Sequence, residues 1–205
     1  MSRSTRERIV DEALRLFAER GYSATSVAEI EAASGLSPGA GGLYRHFKSK
    51  YEVLAAAINE HAARTRIQVA ESLAELSAME TSVALEERLA HVCRAGLAKV
   101  REESELTRVF FRDLSQFPEL VAVVREGLLQ PMFDAIVSWF KEQPEYRDAD
   151  LDWTGIAAVL GGSVVQYRLF QETIGDVPGH AEKDQFVAAW VRLALGLLPS
   201  PAPVG

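Results

Sequence analysis

Residues 25–50 read TSVAEIEAASGLSPGAGGLYRHFKSK, and the fold turns on how the middle of that stretch is read. Ser26-x-x-Glu29 is a capping box, in which a hydroxyl and a carboxylate three residues apart satisfy the first free N–H groups of a helix. It starts a short helix through Val27, Ile30 and Ala33 that stops at Gly35. Ser4-x-x-Glu7 is a second box, opening a helix with Ile9, Ala13, Leu16 and Phe17 on one face and Gly21 as its stop. Ser49-x-x-Glu52 is a third, opening a long helix with Val53, Leu54, Ala57, Ile58 and His61 facing inward. One more helix is wanted between Ser37 and Phe47. A helix, the turn Gly35-Leu36-Ser37 and a second short helix make a helix-turn-helix. Ser37 can cap that second helix, and Pro38 can take its first position, where a missing N–H is harmless.

The three glycines oppose this reading. Each costs roughly 1 kcal/mol against alanine inside a helix, and together they weigh on a total stability of about 5–15 kcal/mol. A compensating gain in function is expected. Lacking side chains, Gly39, Gly41 and Gly42, with Ala40 between them, can press backbone against phosphates or base edges. They are read as the close-approach end of a recognition helix, the rival being a plain turn before the next helix.

Apolar residues recur with helical period almost throughout, and no alternating strand stands out. Further amphipathic helices are expected at about 49–77, 82–103, 105–116, 118–143, 150–174 and 183–198, broken at METS, Phe117-Pro118, QPEYRDAD and GDVPGH. The fold class is all-α, with about nine helices: a helix-turn-helix domain over 4–64, a larger helical bundle over 65–199, and a proline-rich flexible tail over 200–205.

The 205 residues are 48% hydrophobic and 25% charged, enough for a real core. No apolar run reaches the roughly 18 residues of a membrane span, and MSRSTRERIVDEALRLF has acids inside its apolar stretch, unlike a signal peptide. Cys93, the only cysteine, points to a reducing cytoplasm. The net charge of −7 is unevenly spread: residues 1–50 hold 8 Lys and Arg against 6 Asp and Glu, and the remainder 14 against 23. A mildly basic N-terminal quarter on an acidic body is what a modular DNA binder would carry.

The stretch TSVAEIEAASGLSPGAGGLYRHFKSKYEVLAAAI resembles the DNA-binding domain of TetR-family transcriptional regulators. The resemblance is carried by Thr25, Val27, Ile30, Gly35, Leu36, Ser37, Gly39, Leu43, Tyr44, His46, Phe47, Ser49 and Lys50, and by an entry helix ending RLFAERGYSATS. It is specific over roughly residues 4–64 and architectural beyond. Two features depart from the common pattern. Ala40-Gly41-Gly42 stands where a single residue is usual, and Glu31 and Ser34 replace small alanines. The recognition helix therefore starts late or carries an extra bulged turn.

Leu43 and Phe47, four apart, face the core, leaving Tyr44 and His46 on the outer surface. The resemblance implies phosphate contacts for these two; aromatic packing on the first helix is the rival. Lys48 and Lys50 flank a helix start whose dipole favours phosphate. Thr25 and Ser26 could donate to phosphate or act purely as caps. Arg45 suits readout of guanine, unless it pairs with Glu31 or another acid.

In the body, aromatic segments suggest an apolar effector pocket, as the resemblance also implies. Its wall is drawn from Cys93, Leu97, Arg108, Phe111, Arg112, Phe117, Met132, Phe133, Ile136, Tyr167 and Phe170, with ordinary core packing as the rival. Two apolar helices near the C-terminus fit a four-helix dimer interface through Ile156, Leu160, Gly161, Val164, Val187, Trp190, Val191 and Ala194, unless they are buried in the monomer. The histidines lack metal-ligand spacing, and Asp148-x-Asp150-x-Asp152 lacks the glycine and distal glutamate of a calcium loop, so no metal or cofactor is expected. The aspartates fit an N-cap cluster better.

The sequence thus points to a non-enzymatic homodimeric regulator with three partners: an operator DNA duplex, a second copy of itself and a small-molecule effector. Repression is favoured over activation. The rival from another class is an all-α ligand-binding protein or enzyme whose N-terminal hairpin is merely structural.

Overall fold

A computed structural model describes residues 3–78, 82–147 and 149–197. The tail expected over 200–205 and part of the METS break lie outside them. The described residues are helical, with no strand. Nine α-helices follow one another among them: α1 Thr5–Arg20, α2 Val27–Ala33, α3 Lys50–Ala78, α4 Leu85–Glu102, α5 Ser104–Asp113, α6 Pro118–Val124, α7 Gln130–Glu142, α8 Trp153–Ile174 and α9 Lys183–Leu195. A π-helical turn, Arg125–Leu129, runs α6 into α7, as one long helix was expected there.

The local signals act as anticipated. The Ser4 and Ser26 hydroxyls accept the N–H groups of Glu7 and Glu29, whose carboxylates reach back to the cap backbone. At α3 the Ser49 hydroxyl accepts the Glu52 N–H, while the Glu52 carboxylate reaches Lys48 N. Asp152 caps α8 by accepting from Thr154 and Gly155.

The chain forms two compact units, divided differently from the single cut expected near residue 64. The first joins residues up to Ile67 with Glu103–Gln130; the second joins Gln68–Glu102 with residues from Pro131 onward. The reason lies on α1. Besides Ile9, Ala13, Leu16 and Phe17, it buries Val10, Leu14 and Ala18, a second apolar stripe at four-residue spacing. Helix α1 packs on both α2 and α5, so three helices alone do not cover it. The Arg112 guanidinium donates to Phe17 O and the Asp113 carboxylate accepts Tyr22 N–H at 3.2 Å, tying α5 to the end of α1.

The second unit has its own core of Leu89, Leu97, Tyr167, Trp190 and their neighbours. Phe140, Tyr146 and Trp153 cluster with ring centroids 5.4–5.6 Å apart. Buried Arg88 bonds Gln143 and Glu145 there.

Candidate nucleic-acid interface

The expected helix between Ser37 and Phe47 does not form. Ala40 N–H donates to Ser37 O at 3.2 Å, with Pro38 second and Gly39 third at φ +73°, the signature of a type II turn. A single 3-10 turn, Leu43–Arg45, follows. Ser37 and Pro38 therefore shape a turn and do not open a helix. The glycines have local causes. Gly39 and Gly41 adopt left-handed φ, +73° and +74°, where a side chain would be strained. A Cβ on Gly42 would come within 3.3 Å of Leu36 Cδ1. Close approach to DNA is not needed to explain them.

A buried carboxylate holds this loop. Glu31, fully enclosed in the last turn of α2, accepts Gly39 N–H at 2.7 Å and Leu43 N–H at 3.0 Å. The Glu31–Arg45 pair weighed from sequence gives way to these backbone bonds. The only advance signal was an acid where alanine is usual.

Leu43 and Phe47 are buried and face the core, as their spacing dictates. Tyr44 is 57% exposed, and Arg45, His46 and Lys48 are exposed beside it. Ala40 and Gly39 are also exposed, with Gly41 and Gly42 half-buried. Within six residues the chain thus presents an aromatic ring, two cationic side chains and an imidazole to solvent.

Three other candidates do structural work. Thr25 is buried, its hydroxyl turned toward Gly21 O at 2.8 Å and Leu16 O at 3.3 Å, so it is no phosphate donor. The Ser26 hydroxyl is spent in its capping box. Lys50 donates to Tyr22 O and Thr25 O, both at 2.7 Å, with its ammonium 4.3 Å from the Tyr22 ring centroid. Burial pushes that ammonium below the ordinary lysine pKa. Lys50 clamps the α1–α2 connection and is not a phosphate contact.

In the second unit, α3, α4, α7, α8 and α9 line a cavity of about 150 Å³. Cys93, Met132 and Ile136 are among its walls, as expected, together with Val92, Gly96, Val100, Val165 and the polar Gln68, Ser72 and Lys99. Burial pushes the Cys93 thiol up to about 12, leaving it protonated and inert near neutrality.

The other expected wall residues are elsewhere. Leu97 belongs to the neighbouring core. Phe133 approaches Gly161, Tyr167 stacks against Phe186 at 4.4 Å, and Phe170 is half-buried outside the lining. Arg108, Phe111, Arg112 and Phe117 are in the first unit, where Phe117 packs on Tyr22 at 4.9 Å.

The expected dimer residues are likewise corrected. Leu160, Val187, Val191 and Ala194 are buried within the chain's own second unit, and Ile156 packs against that core. Gly161, Val164 and Trp190 line the cavity, with Trp190 Nε1 donating to Leu160 O at 3.0 Å. The same helices expose other apolar residues: Ala158 and Val159 on α8, Ala188, Ala189 and Leu193 on α9. Val159 and Leu193 are 70% and 66% exposed.

Comparison with known proteins bears directly on the first unit. The sequence profile of bacterial regulatory proteins of the tetR family matches residues 9–57. An uncharacterized HTH-type transcriptional regulator of Bacillus subtilis, YvkB, is 26% identical over 143 residues, covering 70% of this chain and 69% of its own. Among solved structures, a TetR-family regulator from Mesorhizobium loti superposes with a TM-score of 0.74 at 20% identity, covering 96% and 97% of the two chains. FadR of Bacillus subtilis, solved with stearoyl-CoA, superposes at 0.65 and 19% identity over 94% and 97%. Among the described residues, no helix is long and apolar enough to cross a membrane. Residues 9–57 thus carry the profile of the tetR-family DNA-binding region, and the helical fold of the described residues is similar to that of these regulators.

Proposed function

We propose that the protein is a homodimeric repressor that leaves a pseudopalindromic operator when a small, largely apolar effector binds. The observation that carries the DNA-binding part is the exposed set Tyr44, Arg45, His46 and Lys48, fixed between the buried anchors Leu43 and Phe47. Arg45 is the candidate for reading guanine; Tyr44, His46 and Lys48 are the candidates for phosphate. In this reading residues 4–64 contact DNA, and 65–199 provide the effector site and the dimer contact.

The effector site is the cavity of the second unit, whose size suits an apolar group about as large as benzene. The acyl-thioester complex of the FadR neighbour supports an apolar occupant. The dimer face is the outward side of α8 and α9, bearing Val159 and Leu193, since the inward side is used by the chain's own core. Two heads on a dyad would meet half-sites about 34–36 Å, or a multiple, apart. The effector must prefer a dimer conformer that mismatches that spacing, because equal affinity for both conformers shifts nothing.

The test is a mobility shift on DNA upstream of the protein's own gene, repeated at rising salt. Binding should weaken by roughly 0.9 log units per log salt for each phosphate neutralised. Flat salt dependence, or equal retention of unrelated duplex, would sink the operator reading.

A further inference from the structure

We infer that Glu31 is a positioning residue for operator recognition: its carboxylate is an internal anion that sets the conformation of the recognition loop, and thereby which DNA sequences the protein prefers. This rests on the DNA-binding reading above.

Two left-handed glycines make the loop costly to order, since glycine surrenders more backbone freedom than any other residue. The loop brings two N–H groups four residues apart, those of Gly39 and Leu43, onto one anion. Here the anion comes from inside the protein. One carboxylate oxygen takes Gly39 N–H, the other takes Leu43 N–H, and the Glu31 carbonyl accepts Leu36 N–H at 2.8 Å. One residue of α2 therefore pins the connecting turn and both ends of the glycine loop.

Leu43 is also the first residue of the 3-10 turn that carries Tyr44 and Arg45. Fixing its amide fixes where that turn begins and how the next three side chains leave it. Fork-to-base recognition depends on such geometry. The occupied amides of Gly39 and Leu43 are also closed to DNA phosphate, so anchoring falls to side chains. Packing alone does not require a carboxylate here, because burying one is unfavourable unless its hydrogen bonds are made.

The experiment compares the full-length protein with Glu31→Gln and Glu31→Ala. Glutamine keeps the volume but turns an amide NH₂ toward one of the two donors. Amide exchange by NMR reads the clamp directly: Gly39 and Leu43 should be protected in the parent, both should lose protection in Glu31→Ala, and one of the two should lose it in Glu31→Gln. Binding-site selection from random duplexes, followed by titration, reads the consequence. Preference for the selected site over unrelated duplex should fall by about tenfold or more, the scale of a base-pair mismatch, with unrelated-duplex affinity nearly unchanged.

Parental preference in a folded variant that has lost one or both protections would overturn the positioning role, as would unaltered amide protection. If circular dichroism finds Glu31→Ala unfolded, the isosteric Glu31→Gln decides alone. A parent protein that selects no duplex refutes the DNA-binding reading itself, an outcome separable from the clamp because amide protection is measured without DNA.

Discussion

The loop at 37–48 and the helix pair α8–α9 present opposite relations between residue type and exposure. On the loop, the residues that pattern marked for solvent, Tyr44 and His46, are exposed, and those marked for the core, Leu43 and Phe47, are buried. On α8 and α9, the apolar residues marked for a partner are already used by the chain itself, and a different set faces outward. Mixed polar and apolar spacing tells inside from outside. A helix apolar on several faces does not say which face belongs to its own core.

The sharpest break would come from α9. Trp190→Ala removes a buried ring that closes the second unit's core, and should lower unfolding free energy by about 3–5 kcal/mol in a denaturant titration. Leu193→Glu, one turn away on the exposed face, should leave that curve nearly unchanged yet halve the mass seen by light scattering. A dimer surviving Leu193→Glu together with Val159→Glu would return the interface to another surface.

On the loop, Arg45→Ala should weaken selected-site binding by about 1–3 kcal/mol and relax preference at one base pair. Lys48→Ala should instead weaken all duplexes and flatten the salt slope by about one phosphate's contribution. Thr25→Val carries a smaller effect of another kind: operator affinity should hold, while stability drops by about 0.5–1.5 kcal/mol as its backbone bonds are lost. Reduced operator affinity in that variant would restore Thr25 to the interface.

The smallest effect is an acid dependence. The Ser26 backbone N–H, then its hydroxyl, and nearby Arg20 hold the Glu29 carboxyl below its ordinary value of 4.5. With the folded value lowered, the contribution is complete above the ordinary value and is lost as pH falls through the lower folded one. Ser26→Ala should therefore flatten the acid limb of stability below about pH 4.5 relative to the parent. Parallel limbs in the two proteins would mean the Ser26 hydroxyl contributes no proton linkage.

Much of the fold was legible because it is written locally. Capping boxes at Ser4, Ser26 and Ser49 mark helix starts through bonds within four residues, and Gly21 marks a stop the same way. The candidate interface was partly legible: the outward residues at 44, 45, 46 and 48 follow from the inward ones at 43 and 47. Glu31, Thr25 and Lys50 were misread or unread because their partners are backbone groups 4–28 residues away, and no spacing rule reports where a distant amide or carbonyl will lie. The cavity walls at Gln68, Val92 and Lys99 carry no signature beyond ordinary helical periodicity.

By itself the sequence determined that this chain is all-helical, where its first, second and third α-helices start, and which side chains between the second and third meet water, since caps and periodicity act within a few residues. Only the tertiary structure decided that residues 37–48 form a pinned loop, that Glu103–Gln130 completes the first unit, and which faces of α8 and α9 remain uncovered. Those outcomes depend on which surfaces distant segments find for one another. A residue's own type records that it will be buried or bonded, but not by what.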